Sequence, residues 1–501
     1  MKRICILSAF FAVVAAATAQ TSTNAPAGRT MSLADCIQSA LAHNFYVQIE
    51  RYNPQISLFD LNAAYSGYDP TFTASGQHNF NDSGASYQNG QVVAGSQYNE
   101  NSFNSGFAGG TPWGLTYNLS GNISDTYGKQ GAASNFFLPF ESSSGQIGVT
   151  LTQPLLKNFW IDATRLNIRV AKNQLQQSEQ SLRQQIINQV TAVADAYYEL
   201  IYAQQNVQVQ TNALQLAQTQ LDQDQQRLQI GTLAVLSVQQ DQSQVAQNQA
   251  NLIAAQSTLD TDQNILKNLL TDDYSKSYGV DIQPSETLSA AMQSFNLQDS
   301  WNKGMTERPD LLQAKLNVEQ KGIQLKYYRN QLFPELDLIG SYGFNGAGQE
   351  YSDAFYQFDQ GNRPFYSYGA QMTVPLGNIG PRNQYKATKA TLQQILLQLK
   401  QIEQNVMVEI DNAVKTAQSN YQSAEATKQA RIYAEAALDA EQKTYAVGKA
   451  TTFEVLTYQN NLTAARSQEI RALANYNESL ANLDAQEGDT LERYNINLEA
   501  K

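Results

Sequence analysis

The sequence predicts an α+β membrane protein, a tandem repeat in which each copy joins long coiled-coil helices to amphipathic β-hairpins. The first observation behind this is an ungapped internal offset. Ser32, Asn44 and Pro70 recur 264 residues later as Asn296, Arg308 and Pro334, and both Ser32 and Asn296 read as N-caps with an acid, Asp35 or Asp299, three residues on. Further along, Pro154 pairs with Pro375 at an offset of 221, and Gly231 with Gly448 at 217, so the first copy holds about 43 extra residues between its proline landmarks. The second observation is a change of hydrophobic period at those prolines, from two to helical. The third is a pair of similar glycine turns, each between two long polar helical patterns.

The chain opens with Lys2, Arg3, an apolar run from Ile4 to Ala17 and the small-residue pattern Ala17-Thr18-Ala19. This predicts a secretory signal over 1–19 and a mature start near Gln20. Cys5 leaves with the signal, so Cys36 has no intramolecular partner and is expected to be a packing residue. The net charge goes from −12 to −14 once Lys2 and Arg3 are gone, which argues against a nucleic-acid partner. With 42% hydrophobic residues and a mean hydropathy of −0.43, the chain is too polar for a conventional core of its length. The mature part offers no run of about 18 apolar residues. Any crossing must therefore use strands, which in a diderm bacterium means the outer membrane.

The first repeat is expected over 20–295. A helix runs from Leu33 to about Ser66, and strands follow over about 70–153. Phe72, Ala74 and Phe80 alternate there with Thr73, Ser75, Gln77 and Asn79, and Ile147, Val149 and Leu151 alternate with Gly148, Thr150 and Thr152. Trp113, Leu115, Tyr117, Leu119 and Ile123 also alternate, which fits an extra hairpin turning near Gly109-Gly-Thr-Pro-Trp113 that absorbs the surplus. Past Pro154, Val207, Leu214, Leu221 and Leu228 are spaced by sevens, the mark of coiled-coil packing. The helix from about Arg165 to Gln229 would be roughly 100 Å long. It turns at Gly231 and returns from about Leu236 to Leu270. The irregular stretch 271–295 is expected to form a belt of small elements.

The second repeat, 296–487, follows the same plan: a capped helix from Leu297 to about Gln331, strands over about 335–374, a long helix from about Gln384 to Tyr445, a turn at Gly448, a shorter helix from Thr452 to about Gln486, and then a tail, 488–501. Each copy thus supplies one full-length rod and two half-length rods. Tyr351, Phe355, Tyr356, Phe358, Phe365 and Tyr366 read either as an interfacial aromatic girdle or as ordinary cross-strand pairs. A chain with two strand regions is too small to close a barrel by itself, which takes at least about eight strands, and an open edge in lipid leaves backbone groups unpaired. Symmetric association solves both problems.

Leu33-Ala-Asp-Cys-Ile-Gln-Ser-Ala-Leu-Ala-His-Asn44, Leu151-Thr-Gln-Pro-Leu-Leu156 and Tyr445-Ala-Val-Gly-Lys-Ala-Thr-Thr-Phe-Glu-Val-Leu456, in this order, resemble the TolC-type outer membrane efflux proteins, over about Ser32 to Gln486. The resemblance implies a homotrimer with a twelve-stranded β-barrel in outer-membrane lipid and a periplasmic helical barrel. It also implies an exit duct for an inner-membrane pump, reached through a periplasmic adaptor, in efflux or type I secretion. The enlarged first strand region departs from the family, and either longer extracellular hairpins or an eighteen-stranded trimer would accommodate it. The family's acidic ring near the second tip maps to Glu454, while its second acidic position is Thr457 here. The plainer reading of Glu454 is a solvated residue on the first turn of a helix.

Tyr445 matches the family's tyrosine that helps hold the helices closed. Lys449 lies one residue after the glycine, where the family's basic residue lies two after, at Ala450. Gly231, Thr232, Gly448 and Ala450 mark the tips expected to dock an adaptor, with simple turn chemistry as the alternative. No cofactor is expected, because His43 and His78 have no metal-ligand cluster beside them and no phosphate-binding glycine loop is present. The competing reading from another class is an outer-membrane-anchored coiled-coil structural or adhesive protein, against which the paired return arms argue.

Overall fold

The computed structural model describes residues 28–132 and 136–496. The signal expected over 1–19 and the end of the tail lie outside the described residues. In chain order the elements begin with β1 (Arg29–Met31), α1 (Leu33–His43), α2 (Phe45–Ala64), β2 (Thr71–Asp82), β3 (Ser86–Gln88), β4 (Gln91–Val93), β5 (Gln97–Gly110), β6 (Thr116–Ala132) and β7 (Phe136–Pro154). The first long hairpin follows as α3 (Ala163–Gln229) and α4 (Val235–Leu270), then α5 (Tyr274–Ser277) and β8 (Ile282–Pro284). The second repeat holds α6 (Leu297–Glu307), α7 (Pro309–Asn330), β9 (Glu335–Gly348), α8 (Tyr351–Gln360), β10 (Pro364–Thr373), α9 (Ile379–Ala446), α10 (Thr452–Glu487) and α11 (Thr490–Arg493).

The repeat is close to residue-for-residue in its helices. The long rods α3 and α9 have 67 and 68 residues, and the return arms α4 and α10 have 36 each. The helices expected as continuous over 33–66 and 297–331 are each broken in two, at Asn44 and Arg308, the residues related by the 264-residue offset. Asn44 is extended (φ −66°, ψ 125°), and its Oδ1 accepts the Tyr46 N–H at 2.8 Å, an N-cap that restarts the helix. Arg308 is also extended (φ −63°, ψ 122°), because Pro309 at the first helical position denies helical torsions to the residue before it.

By packing, the chain divides into two compact units that cut across the repeats. Among the described residues, one gathers 28–40, Val193–Ser289 and Lys428–Ala474; the other gathers Leu41–Ala192, Ala290–Thr427 and 475–496. The expected repeats, 20–295 and 296–487, each contribute to both units.

The second unit contains a six-stranded sheet in the order β10-β9-β7-β6-β5-β2, antiparallel throughout. The surplus residues of the first repeat form β5 and β6, both full members of this sheet. Three copies would supply eighteen strands, not twelve. The hairpin turns as expected, with Thr111 N–H donating to Leu115 O at 2.9 Å and Gly114 at φ +91°, but Trp113 lies in the turn and not on a strand. Alternation along each strand sorts the faces. One row across the whole sheet reads Phe72, Phe107, Leu119, Val149, Tyr342, Tyr366, and the adjacent row on the opposite face reads Thr71, Ala108, Asn118, Thr150, Ser341, Ser367. The polar face lines a hollow of about 510 Å³ with Asn104, Ser120, Asn122 and Gln146.

The reading of the aromatic cluster as cross-strand pairs is corrected for four of its six residues. Tyr351, Phe355, Tyr356 and Phe358 belong to helix α8, and only Phe365 and Tyr366 lie on a strand. Glu350 and Asp353 close a capping box at the start of α8, and Gly361 ends it with φ +61°. The helix rests on the apolar face. Tyr351 packs 6.1 Å from Phe103 and donates its hydroxyl to Asn101 O at 2.8 Å. Gly145 and Gly346, partners across β7 and β9, leave room for Phe358, whose ring would stand 2.9 and 3.0 Å from a Cβ at these positions. Elsewhere in this unit Val406, Ile410 and Val414 of α9 pack with Leu483 of α10 and with Trp301 and Met305 of α6.

In the first unit, the stretch expected to be irregular contributes a strand: β8 pairs in parallel with β1. The buried Gln263 side chain holds it, donating to Ile282 O at 2.7 Å and accepting from Ile282 N–H at 3.0 Å. Tyr197, fully buried, donates to Met31 O at 3.2 Å. Cys36 is buried and free, and burial pushes its thiol up to about 12, in keeping with a packing role. Gln263→Leu is expected to strand the buried Ile282 N–H and to leave Ile282 O only the longer bond from Gln204 Nε2 at 3.4 Å, destabilising the unit by about 1–3 kcal/mol. Thermal unfolding in detergent measures it; an unchanged midpoint would show that β8 is held otherwise.

Candidate functional site

Both glycine turns lie in the first unit and close in the same way. Gly231 has φ +78° and donates to Leu228 O at 3.0 Å, while Thr232 N–H reaches Arg227 O at 2.9 Å. Gly448 has φ +74° and donates to Tyr445 O at 3.0 Å, while Lys449 N–H reaches Thr444 O at 3.1 Å. These are Schellman caps, in which the glycine takes the left-handed conformation that side chains resist. Thr232 adds its hydroxyl to the Arg227 carbonyl at 3.0 Å. The apolar residues beside the turns, Ile230, Val235 and Leu236 at the first and Val447 and Phe453 at the second, are exposed.

Beneath the turns lies a buried polar cluster built from all four tip helices. Asp224 of α3, 0% exposed, accepts the Tyr445 hydroxyl from α9 at 2.7 Å on each carboxylate oxygen. It also accepts Thr452 Oγ1 from α10 at 3.2 Å and Gln220 Nε2 at 3.0 Å. The Arg227 guanidinium lies 3.8 Å from Asp224 and 4.4 Å from the centre of the Tyr445 ring, over its face, a cation–π contact. Burial above all raises the Tyr445 hydroxyl above its ordinary value. Asp241 of α4 is the fourth side, also 0% exposed. Burial first, and then the neighbouring charge of Asp224, push Asp241 up to about 7.

The sequence pointed to Tyr445 but not to its partners. Lys449, considered as the basic half of a latch, is exposed and lends the tip its backbone N–H; within the protomer the cation is Arg227. Glu454 is exposed and closes a capping box with Thr451, accepting the Thr451 N–H at 2.8 Å and hydroxyl at 2.9 Å, and these bonds lower its carboxyl below the usual range. Thr457 is exposed and turns its hydroxyl back to Phe453 O at 2.8 Å. Ala450 lies between the Schellman cap and that capping box. The missed signal is spacing, for Ala213, Ala217, Gln220 and Asp224 form a buried stripe at fours and threes, which places two polar residues in a coiled-coil seam.

Below the cluster further polar pairs join the two hairpins. Gln244 and Asn460 exchange reciprocal amide bonds at 2.8 and 3.0 Å, and Ser467 donates to Asn206 at 3.0 Å. Among the described residues no group of three or more His, Cys, Asp or Glu is placed to hold a metal ion. Tyr445→Phe removes the donor shared by both oxygens of a buried carboxylate, so it is expected to destabilise the tip by about 1.5–3 kcal/mol. Faster amide hydrogen exchange across 438–456, with the sheet unchanged, is the readout.

Comparison with known proteins follows the same division of the chain. The family model described as outer membrane efflux protein matches residues 115–271 and 303–488, one segment in each repeat. Outer membrane protein TolC of Escherichia coli K12 is 24% identical over 288 residues, 56% of this chain and 58% of that relative. The match thus spans little more than half of that relative's length. In fold, the chain is similar to the outer membrane protein VceC of Vibrio cholerae, with a TM-score of 0.65 at 17% identity, covering 91% of this chain and 96% of that one. It is also similar to the outer-membrane channel OprN, with a TM-score of 0.67 at 15% identity, covering 91% and 90%. With two thirds of its residues matched, in both repeats, this chain belongs to the outer membrane efflux protein family, whose members reside in the outer membrane and are not enzymes.

Proposed function

We propose that the protein is the outer-membrane exit duct of a tripartite efflux or type I secretion system, a passive homotrimeric conduit served by an inner-membrane pump and a periplasmic adaptor. The observation that carries this reading is the six-stranded sheet with one apolar face, one polar face and two unpaired edges, β2 and β10. In lipid such edges must pair. Joining β10 of one chain to β2 of the next, three times, closes a barrel of eighteen strands, a size that leaves an aqueous channel. The apolar row of Phe72 and its partners then faces lipid, and the Asn, Ser, Thr and Gln face lines the water. Family membership favours this reading over an adhesive stalk.

In the duct the four-helix tip is the periplasmic gate. Asp224, Tyr445, Thr452 and Arg227 fasten the second hairpin to the first, and Lys449 and Thr457 stand on the surface presented to neighbouring chains. Three symmetry-related Glu454 carboxylates would form an acidic ring favouring cations while each still caps its own helix. Gly231, Thr232, Gly448 and Ala450, with the exposed Ile230, Val235, Leu236 and Val447 around them, form the adaptor-docking surface. In planar bilayers, Tyr445→Ala is expected to raise single-channel conductance severalfold, and Lys449→Ala to raise it less. Wild-type conductance in Tyr445→Ala would contradict a gate at this tip.

A further inference from the structure

Asp241 is the member of the tip cluster that the fastening does not use. It is fully buried, and among the described residues no hydrogen-bond donor reaches either of its carboxylate oxygens. Its neighbour is another acid, Asp224. An ionised carboxylate taken out of water with neither a donor nor a counter-charge is strongly disfavoured. The charged and titratable groups of the cluster are Asp224 and Arg227 on α3 and Tyr445 on α9, while α10 contributes the neutral Thr452. Arg227 is engaged with Asp224 and with the Tyr445 ring, and the Tyr445 and Thr452 hydroxyls donate to Asp224. What remains to satisfy Asp241 is a proton of its own.

We propose that Asp241 is a proton-binding site in the fastened tip, a neutral carboxylic acid whose O–H donates to Asp224 and so ties α4 to the cluster that holds α9 and α10. The proton makes one acid a donor and leaves the other an acceptor, which relieves the repulsion between two carboxyl groups sharing a site. Loss of that proton places two negative charges in one buried cluster beside a single guanidinium, and the tip loosens until water reaches Asp241. The pH sense follows from the raised value. Asp241 shifts from 3.8 to about 7, so its contribution to the fastened state is complete below the ordinary value and is lost as pH rises through about 7. The upper limit on the change in the fastened-to-loosened ratio is roughly a thousandfold across that interval. The site is distinct from the exposed Glu454, whose value is lowered.

The pH response of conductance rests on the reading of the tip as a gate, whereas the proton itself does not, so the two are measured separately on the full-length protein. Infrared difference spectra of wild type and Asp241→Asn are expected to show a carbonyl-stretch band of a protonated carboxylic acid in wild type near pH 6. That band should fade by about pH 8.5 and be missing in Asp241→Asn. Bilayer conductance of wild type is expected to rise as pH climbs from the ordinary carboxylate range to about 7 and to level off above it, while Asp241→Asn, which mimics the protonated form, stays low and flat. Identical spectra for wild type and Asp241→Asn near pH 6 would overturn the proposal, as would a tip loosened by a metal chelator at constant pH, which would put a cation in the place of the proton. The band without any conductance response would uphold the proton site and count against the gate. Survival of the Asp241→Asn oligomer on a native gel guards against misfolding; if that variant fails, Asp241→Leu supplies the reference spectrum, which is needed because burial also pushes Asp195 and Asp484 up to about 6.

Discussion

Backbone N–H and C=O groups at the edge of a sheet have no water to bond in a bilayer, and this constraint governs most of the molecule. A six-stranded sheet with edges at β2 and β10 satisfies its interior strands and, among the described residues, leaves two edges unpaired, which the proposed trimer would join. The alternation of Phe72, Phe107 and Leu119 with Thr71, Ala108 and Asn118 has a use only if one face meets lipid and the other water. The extra β5–β6 hairpin widens what the family resemblance led one to expect without changing the principle, because strands are added in the middle and the edges stay where they were.

The rods answer to a related constraint. Long polar helices with thin apolar stripes are not stable alone, and the tip is where four of them end together in the first unit. There the seam changes from alanine to Gln220 and Asp224, and hydrogen bonding replaces apolar packing. A buried carboxylate that collects Tyr445, Thr452, Gln220 and Arg227 is well satisfied, but each bond is lost together with the others once the cluster is wetted. Such a junction is firm when dry and weak when water enters, which suits the gate proposed for it.

Much of this was legible in the sequence because it is repeated or periodic. The internal offset located both repeats, heptad spacing located the rods, and glycine between two rods located the tips. Asn44 and Arg308, related by the same offset, were read as lying inside continuous helices; the breaks there come from an Asn cap and from Pro309, which periodicity alone does not register. Helix α8 was missed although Tyr351, Phe355 and Phe358 fall at helical spacing, because its ten residues sit inside a region whose surroundings alternate. Asp224 and Asp241 were missed for a different reason. A search for apolar periodicity passes over polar residues in seam positions, and Asp224 and Asp241 become neighbours only after two hairpin arms have folded back on each other.

Closure by three chains is the central claim, and the protein mass of the particle extracted from outer membranes in mild detergent tests it most directly. Light scattering with the detergent contribution removed is expected to give three times the mass of one mature chain. A stable single chain in those extracts would contradict the shared barrel and with it the duct.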